Sequence, residues 1–253
     1  MQMNKIKWAF AQAILKNLFK FVHFYFKYPL MENSDRYFAG IDTVIHVGAH
    51  LGEERLSYLR RNLTVFWVEA SASAYQQLNK NIKAFSNQKA IHAAVHSSEE
   101  KDVVFNITNL SASSSLLKPK DVWPTPNLKV MAEEKVDTVK LSTLITQGTI
   151  KLTGNSMLII DTQGTEFDVL LSAGCFLTEF AVIVIETQDF ELYEDQVLTE
   201  KIEEFLINQK FHLAQKTAWA SDTDRRKNCY ELIFENRNSR EKLCEGTIEV
   251  ATD

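Results

Sequence analysis

Cysteine is scarce in this chain of 253 residues: Cys175, Cys229 and Cys244 are odd in number and fit neither metal-ligand nor redox spacing. That excludes a disulfide framework and points to a reducing compartment, the cytoplasm. Basic charge is also short, with 28 Lys and Arg against 33 Asp and Glu, a net charge of −5 and a pI of about 5.8. A nucleic-acid scaffold is thereby disfavoured, because phosphate contacts need a basic footprint. The Gly-x-Gly-x-x-Gly run that cradles a pyrophosphate is missing, which disfavours a nicotinamide or flavin enzyme. At the amino terminus, lysines interrupt every apolar stretch well short of about 18 residues and no small-residue cleavage site follows, so neither a transmembrane helix nor a signal peptide is expected there. No internal repeat occurs.

What is present is enough apolar material, 45% of the residues, for one large core of the α/β kind. The segment 1–31 stands apart with five lysines, one histidine, eight aromatics and no acid. Lys5, Lys16, Lys20, His23 and Lys27 share one helical face, and Phe10, Ile14, Leu18, Phe21 and Tyr25 the other. Two readings of this basic amphipathic helix stand: an interfacial helix on an anionic membrane, or a helix packed on the domain or on a second subunit. Residues 32–236 are expected to form the main domain and 237–253, of mixed charge, a flexible tail.

Glycine is rationed, and four of the eight, Gly48, Gly52, Gly164 and Gly174, fall in two segments. In the first, Thr43 to Val47 reads as a buried strand, Gly48-Ala49-His50-Leu51-Gly52 as a sharp turn, Glu53-Glu54 as the acidic opening of a helix with Tyr58, Leu59 and Leu63 inward, and Thr64 to Glu69 as the next strand. Glu69 lies 21 residues beyond Gly48 and is placed to accept the hydroxyls of a ribose. In the second segment, Met157 to Ile160 is a strand ending at Asp161, and Glu166 opens a helix that stops at Gly174. Ligands of open α/β sheets sit beyond the carboxyl ends of the strands, which puts Asp161 and Glu166 on the rim of Gly48 and Glu69.

Elsewhere the pattern predicts a helix over Ser73 to Ala84 and strands over Gln88 to Val95, Val103 to Ile107, Val136 to Leu141 and Ala181 to Glu186. Leu144 to Leu152 reads as a connection, Thr199 to Gln209 as a helix, and Phe211 to Lys216 with Cys229 to Glu235 as a terminal antiparallel pair. Lys118 to Asn127 holds three of the four prolines and reads as an irregular excursion. His92 and His96 are four apart, but in a strand they point apart, so no metal site is expected.

Taken together, HVGAHLG, WVEA, SASSSLL and DTQGTEFDVLLSAG resemble the FkbM family of S-adenosylmethionine-dependent methyltransferases, over roughly His46 to Phe211. The resemblance implies a Rossmann-like class I methyltransferase fold: an α/β, mostly parallel, seven-stranded sheet with an antiparallel terminal pair, preceded by the helical extension. It implies S-adenosylmethionine as cofactor and S-adenosylhomocysteine as product, with methyl transfer to a hydroxyl of a sugar, glycan or small secondary metabolite. The cofactor contacts would be His46, Gly48, Ala49, His50, Gly52, Glu69, Ala70, Asp161 and Gln163. Asp161, assisted by Glu166 or His50, would orient or deprotonate the acceptor, and Ser113, Ser114 and Glu186 would touch it. The chain departs from the family at His46 and Ser142, where many members have Asp, at Ala70-Ser71, where a Pro-containing step is frequent, and at Gln163, where many have Glu. A nicotinamide-dependent oxidoreductase, and a scaffold that kept the fold but lost transfer, are the rival readings.

Overall fold

The computed structural model describes residues 35–224 and 227–236; the basic segment 1–31 and the tail 237–253 lie outside the described residues. The chain divides into two compact units, Met1–Ala39 and Gly40–Asp253. The described part of the first is a single helical turn, Asp35–Phe38. The second unit holds the sheet and the site.

Next to its middle strand lies β1 (Thr43–Val47), all five residues of which are buried. Burying an aliphatic side chain such as Val44, Ile45 or Val47 stabilises by about 1.5–3 kcal/mol, more than the roughly 1–2 kcal/mol lost in fixing each backbone unit, so this short run has enough to hold a strand. Around it lie β2 (Thr64–Glu69), β3 (Gln88–His92), β8 (Ser156–Ile160), β9 (Phe180–Gln188), β10 (Phe211–Asp222) and β11 (Lys227–Asn236). They form one seven-stranded sheet in the order β10-β11-β9-β8-β1-β2-β3. From β9 to β3 all neighbours are parallel, and β11 runs antiparallel to both β9 and β10. This is the mostly parallel α/β sheet with an antiparallel terminal pair.

Helix α1 (Arg55–Arg60) links β1 to β2, and α2 (Ala72–Ile82) links β2 to β3, opening at Ser71, whose hydroxyl accepts the Ala74 N–H. Helices α3 (Leu141–Thr146), α4 (Glu166–Ala173) and α5 (Thr199–Asn208) pack through Leu141, Leu144, Val169, Leu170, Ile202 and Leu206 into the main core. The sheet side of that core is Ile45, Val47, Leu158, Ile160, Ile183 and Ile185.

Four expectations change. The strand expected from Gln88 breaks after His92, and β4 (Ala94–Val95) pairs instead with β7 (Thr138–Val139). The strand expected at Val136 to Leu141 covers the end of β6 (Val130–Val136), all of β7 and the first residue of α3; β6 closes a hairpin with β5 (Val103–Thr108). The connection expected from Leu144 begins inside α3. Glu53 and Glu54 precede α1 rather than filling its first turn, and while Tyr58 and Leu63 are buried, Leu59 is exposed.

Candidate functional site

At β1 the chain order reverses: β2 and β3 lie on one side, β8 and β9 on the other. Parallel sheets open a crevice at such a switch point, beyond the carboxyl ends of the strands, because the connecting segments diverge there. A cleft occupies this position, with about 530 Å³ of empty space including its open mouth. Gly48, Glu69 and Asp161, the ends of three adjacent strands, all line it.

Glu69 ends β2 with 7% of its surface exposed. One carboxylate oxygen accepts the His50 N–H at 2.7 Å and the other the Ser71 N–H at 2.7 Å. Burial pushes its pKa up to about 7 against the opposing pull of these amides and of His50. Each oxygen keeps a second lone pair, so the carboxylate can still accept donors from a ligand in the cleft. His50 adopts a left-handed backbone (φ 45°), which turns its amide to Glu69. Its Nδ1 lies 2.9 Å from Glu53 and its Nε2 3.0 Å from the Ser111 hydroxyl. With the carboxylate accepting from Nδ1–H, a neutral ring accepts the Ser111 hydroxyl at Nε2. Burial would push Glu53 up, but its bond to His50 and the local amides outweigh that and hold it below the usual carboxylate value. Through this clasp the 3-10 turn Ser111–Ser113 is tied over the cleft, which Ser111, Ala112 and Ser114 line.

On the other side Asp161 continues β8 by one residue, its N–H donating to the Val47 carbonyl at 3.0 Å. A Cβ on Gly48 (φ 85°) would sit 1.8 Å from the Asp161 carbonyl oxygen. The bare turn at Gly48 is therefore demanded by the neighbouring strand end, and it also leaves the cleft floor open. Gln163 (φ 59°) returns its amide Nε2 to Asp161 Oδ1 in a short hydrogen bond, and its Oε1 accepts the Tyr193 hydroxyl at 2.9 Å. Tyr193 also reaches the Ser113 carbonyl at 3.0 Å. Asp161 Oδ2 takes no protein hydrogen bond among the described residues. The acceptor set fits the hydroxyls and ammonium of an adenosyl amino acid: a carboxylate with spare lone pairs on one wall, a second carboxylate oxygen free on the other, and a glycine floor between them.

Of the residues expected at the site, Gly48, His50, Glu69, Ala70, Asp161, Gln163 and Ser114 line the cleft; His46, Ala49, Gly52, Ser113, Glu166 and Glu186 do not. His46 is buried, stacked 5.1 Å from the Trp67 ring, with Nδ1 3.2 Å from the Tyr58 hydroxyl. Burial lowers its pKa to about 4 against the attraction of Glu53, so it stays neutral. Strand alternation explains the placement, since Val47 packs with Ile45 in the main core and the His46 side chain between them turns to the opposite face of the sheet, onto Trp67 and Tyr58. Ala49 donates its N–H to Val68 O, and a Cβ on Gly52 would meet Leu78 at 2.6 Å, so Gly52 serves the packing of α2. Glu166 is 2% exposed, and its carboxylate accepts the Thr162 and Gly164 N–H groups and the Thr162 hydroxyl. Burial raises it to about 7, those amides opposing and the Asp161 charge adding. It braces the loop that carries Asp161. Among the described residues no group of three or more His, Cys, Asp and Glu is arranged to hold a metal ion.

Among the contributors not expected from the sequence, three form or join the polar walls. Ser111 and Thr162 line the cleft, and Tyr193 joins its two walls from outside. Ser111 lies inside SASSSLL, where Ser113 and Ser114 were expected and nothing in a run of four serines singles out the first. Tyr193 sits in a loop after β9 with no motif around it, and only the fold brings it to Gln163.

Residues 46–213 match the family model described as the methyltransferase FkbM domain. No curated protein matches the chain in sequence. Solved structures similar in fold include TrmK of M. capricolum in complex with S-adenosylhomocysteine (6% identity, TM-score 0.44), of which the chain spans 62% with 78% of its own length. EvdMO1 is similar at 10% identity and a TM-score of 0.48, covering 85% of this chain and 42% of that one. TehB from Haemophilus influenzae is similar at 6% identity and a TM-score of 0.46, covering 82% and 61%. The family match, and not these likenesses, bears on activity.

Proposed function

The chain belongs to the FkbM methyltransferase domain family, and from that premise we propose that it is an S-adenosylmethionine-dependent methyltransferase acting on a hydroxyl oxygen, of a sugar, glycan or small secondary metabolite. The observation that carries the reading is the convergence of Gly48, Glu69 and Asp161 on one cleft at the switch point of the sheet. Glu69 accepts the ribose hydroxyls, and the turn from Gly48 to His50 lies against the remainder of the cofactor. When bound, the cofactor supplies an already activated methyl group. The protein's task is then to hold an acceptor oxygen in line, and such orientation can be worth effective molarities of about 10⁵–10⁸ M. Asp161 suits a hydroxyl acceptor because Gln163 fixes one of its oxygens and leaves the other for the hydroxyl proton. Proton removal by a positioned base adds on the order of 10²–10⁴ in rate. Glu166 is assigned to the loop and not to the acceptor, since its lone pairs face main-chain amides.

The test is transfer of labelled methyl from S-adenosylmethionine to a panel of sugars, lipid-linked glycans and phenolic or polyketide alcohols, followed by product mass. A product heavier by one methyl on oxygen, absent with Asp161→Ala, supports the reading. Label recovered on nitrogen or carbon contradicts the oxygen assignment, and a response to NAD in place of S-adenosylhomocysteine contradicts the cofactor.

A further inference from the structure

We infer that Tyr193 positions Asp161 through the Gln163 amide, and that this relay has one hydrogen-bond setting for the Asp161 carboxylate and a second for its protonated form. The inference rests on the reading of Asp161 as the group that receives the acceptor's proton. Tyr193 is fully buried and has one hydroxyl proton, yet two acceptors face it, Gln163 Oε1 at 2.9 Å and the Ser113 carbonyl at 3.0 Å. While Gln163 Nε2 donates to the Asp161 carboxylate, its Oε1 must face Tyr193, and one of the two acceptors goes short.

Turning the amide over removes the shortage. Gln163 Nε2 then donates to the tyrosine oxygen, the tyrosine proton goes wholly to Ser113, and Gln163 Oε1 faces Asp161. Two acceptors would collide at that last contact unless Asp161 carries a proton and donates it. Every member is then matched. The relay is thus short of one hydrogen when Asp161 is ionised and complete when it is protonated.

Methyl transfer to a hydroxyl releases one proton. The acceptor oxygen forms its bond to the methyl carbon as the carbon–sulfur bond breaks, the electron pair stays on sulfur, and the hydroxyl proton passes to Asp161 Oδ2, from where a half-turn of the carboxyl group about its Cβ–Cγ bond brings it to the Gln163 contact. The amide turn completes the hydrogen-bond chain at that moment. Because the Ser113 carbonyl belongs to the turn clasped over the cleft by His50 and Ser111, the relay also ties the reacting wall to the cover. The Tyr193 ring is separately anchored: a Cβ on Gly164 would touch it at 3.1 Å, and its backbone bridges to Pro119. Removal of the hydroxyl alone therefore leaves the packing in place.

The experiment is nitrogen-15 spectroscopy of glutamine-labelled protein at one pH, with the Gln163 side-chain signal assigned by its loss in Gln163→Met. Asp161→Asn supplies an uncharged amide that can donate to Gln163 Oε1. The expected result is a Gln163 signal shifted from its wild-type position in Asp161→Asn, and shifted back, with faster solvent exchange, in Asp161→Asn combined with Tyr193→Phe. A Gln163 signal unmoved by Asp161→Asn overturns the two settings, and that variant alone decides if Tyr193→Phe fails to fold. An unmoved response on adding Tyr193→Phe removes Tyr193 from the relay. S-adenosylhomocysteine is titrated into the same samples: binding with an unmoved signal defeats the relay and spares the methyltransferase reading, whereas a moved signal without binding does the reverse.

Discussion

At Glu69 burial and hydrogen bonding pull in opposite directions. Burial wins, and the pKa rises to about 7 while two amides hold the side chain in place. A carboxylate accepts both hydroxyls of a ribose diol more strongly than a carboxylic acid, which has given up one acceptor site to its proton, so ligand binding favours the ionised form. Affinity for S-adenosylhomocysteine is therefore expected to rise between pH 6 and 8 in calorimetric titrations, and the rise should flatten in Glu69→Gln. Glu69→Ala should cost about 1–3 kcal/mol of binding. An unaltered Kd in Glu69→Ala would remove the residue from the site. Glu69 was legible because its distance from Gly48 and its place at a strand end are sequence properties. His46 and Glu166 were not, because their roles depend on which way a side chain turns: His46 toward Trp67 and Tyr58, and Glu166 back onto the Thr162 and Gly164 amides.

The turn after β1 shows how one element constrains another. Gly48 was expected to let a ligand approach the backbone; the structure adds that the Asp161 carbonyl already occupies the place a side chain would need. Gly48→Ala should thus break the contact between β1 and the end of β8, lowering the denaturation midpoint severely or yielding insoluble protein. Gly148→Ala is the comparison, with a similar left-handed backbone (φ 73°) and nothing within 4 Å. It should cost only about 1–2 kcal/mol, the strain of that backbone alone. Equal losses in urea denaturation would refute the steric argument. Buried strands rich in β-branched and other apolar residues, such as β1 and β8, were readable at nearly their true bounds. The hairpin β5–β6 was not, since most of β6 is exposed, its Val130-Met131-Ala132-Glu133-Glu134 lacks alternation, and the partner that makes it a strand is more than twenty residues away.

For the molecule as a whole, three carboxylates, Glu69, Glu166 and Glu231, have pKa values raised to about 7, chiefly by burial. Each binds its proton more tightly folded than unfolded, so its contribution is fully present below about pH 4.5 and is lost as pH rises through 7. His46, lowered to about 4, works the other way, adding stability as pH rises from about 4 to 6.5. Three groups outweigh one, and above pH 6.5 nothing in this set opposes them. The ligand-free protein should therefore melt at a higher temperature at pH 5 than at pH 8 in scanning calorimetry, and a Tm that climbs over that range would contradict the burial of these acids. The parallel sheet and its antiparallel end were legible because strands alternating with helices, then two strands in succession, leave few right-handed solutions. The closure of the cleft was not, because the His50–Ser111 clasp and the Tyr193 relay join residues 61 and 30 positions apart.

Calorimetric titration of the full chain with S-adenosylhomocysteine tests the central claim most directly. One saturable site per chain, weakened by Glu69→Ala, is predicted; no binding, or binding indifferent to Glu69, would contradict it.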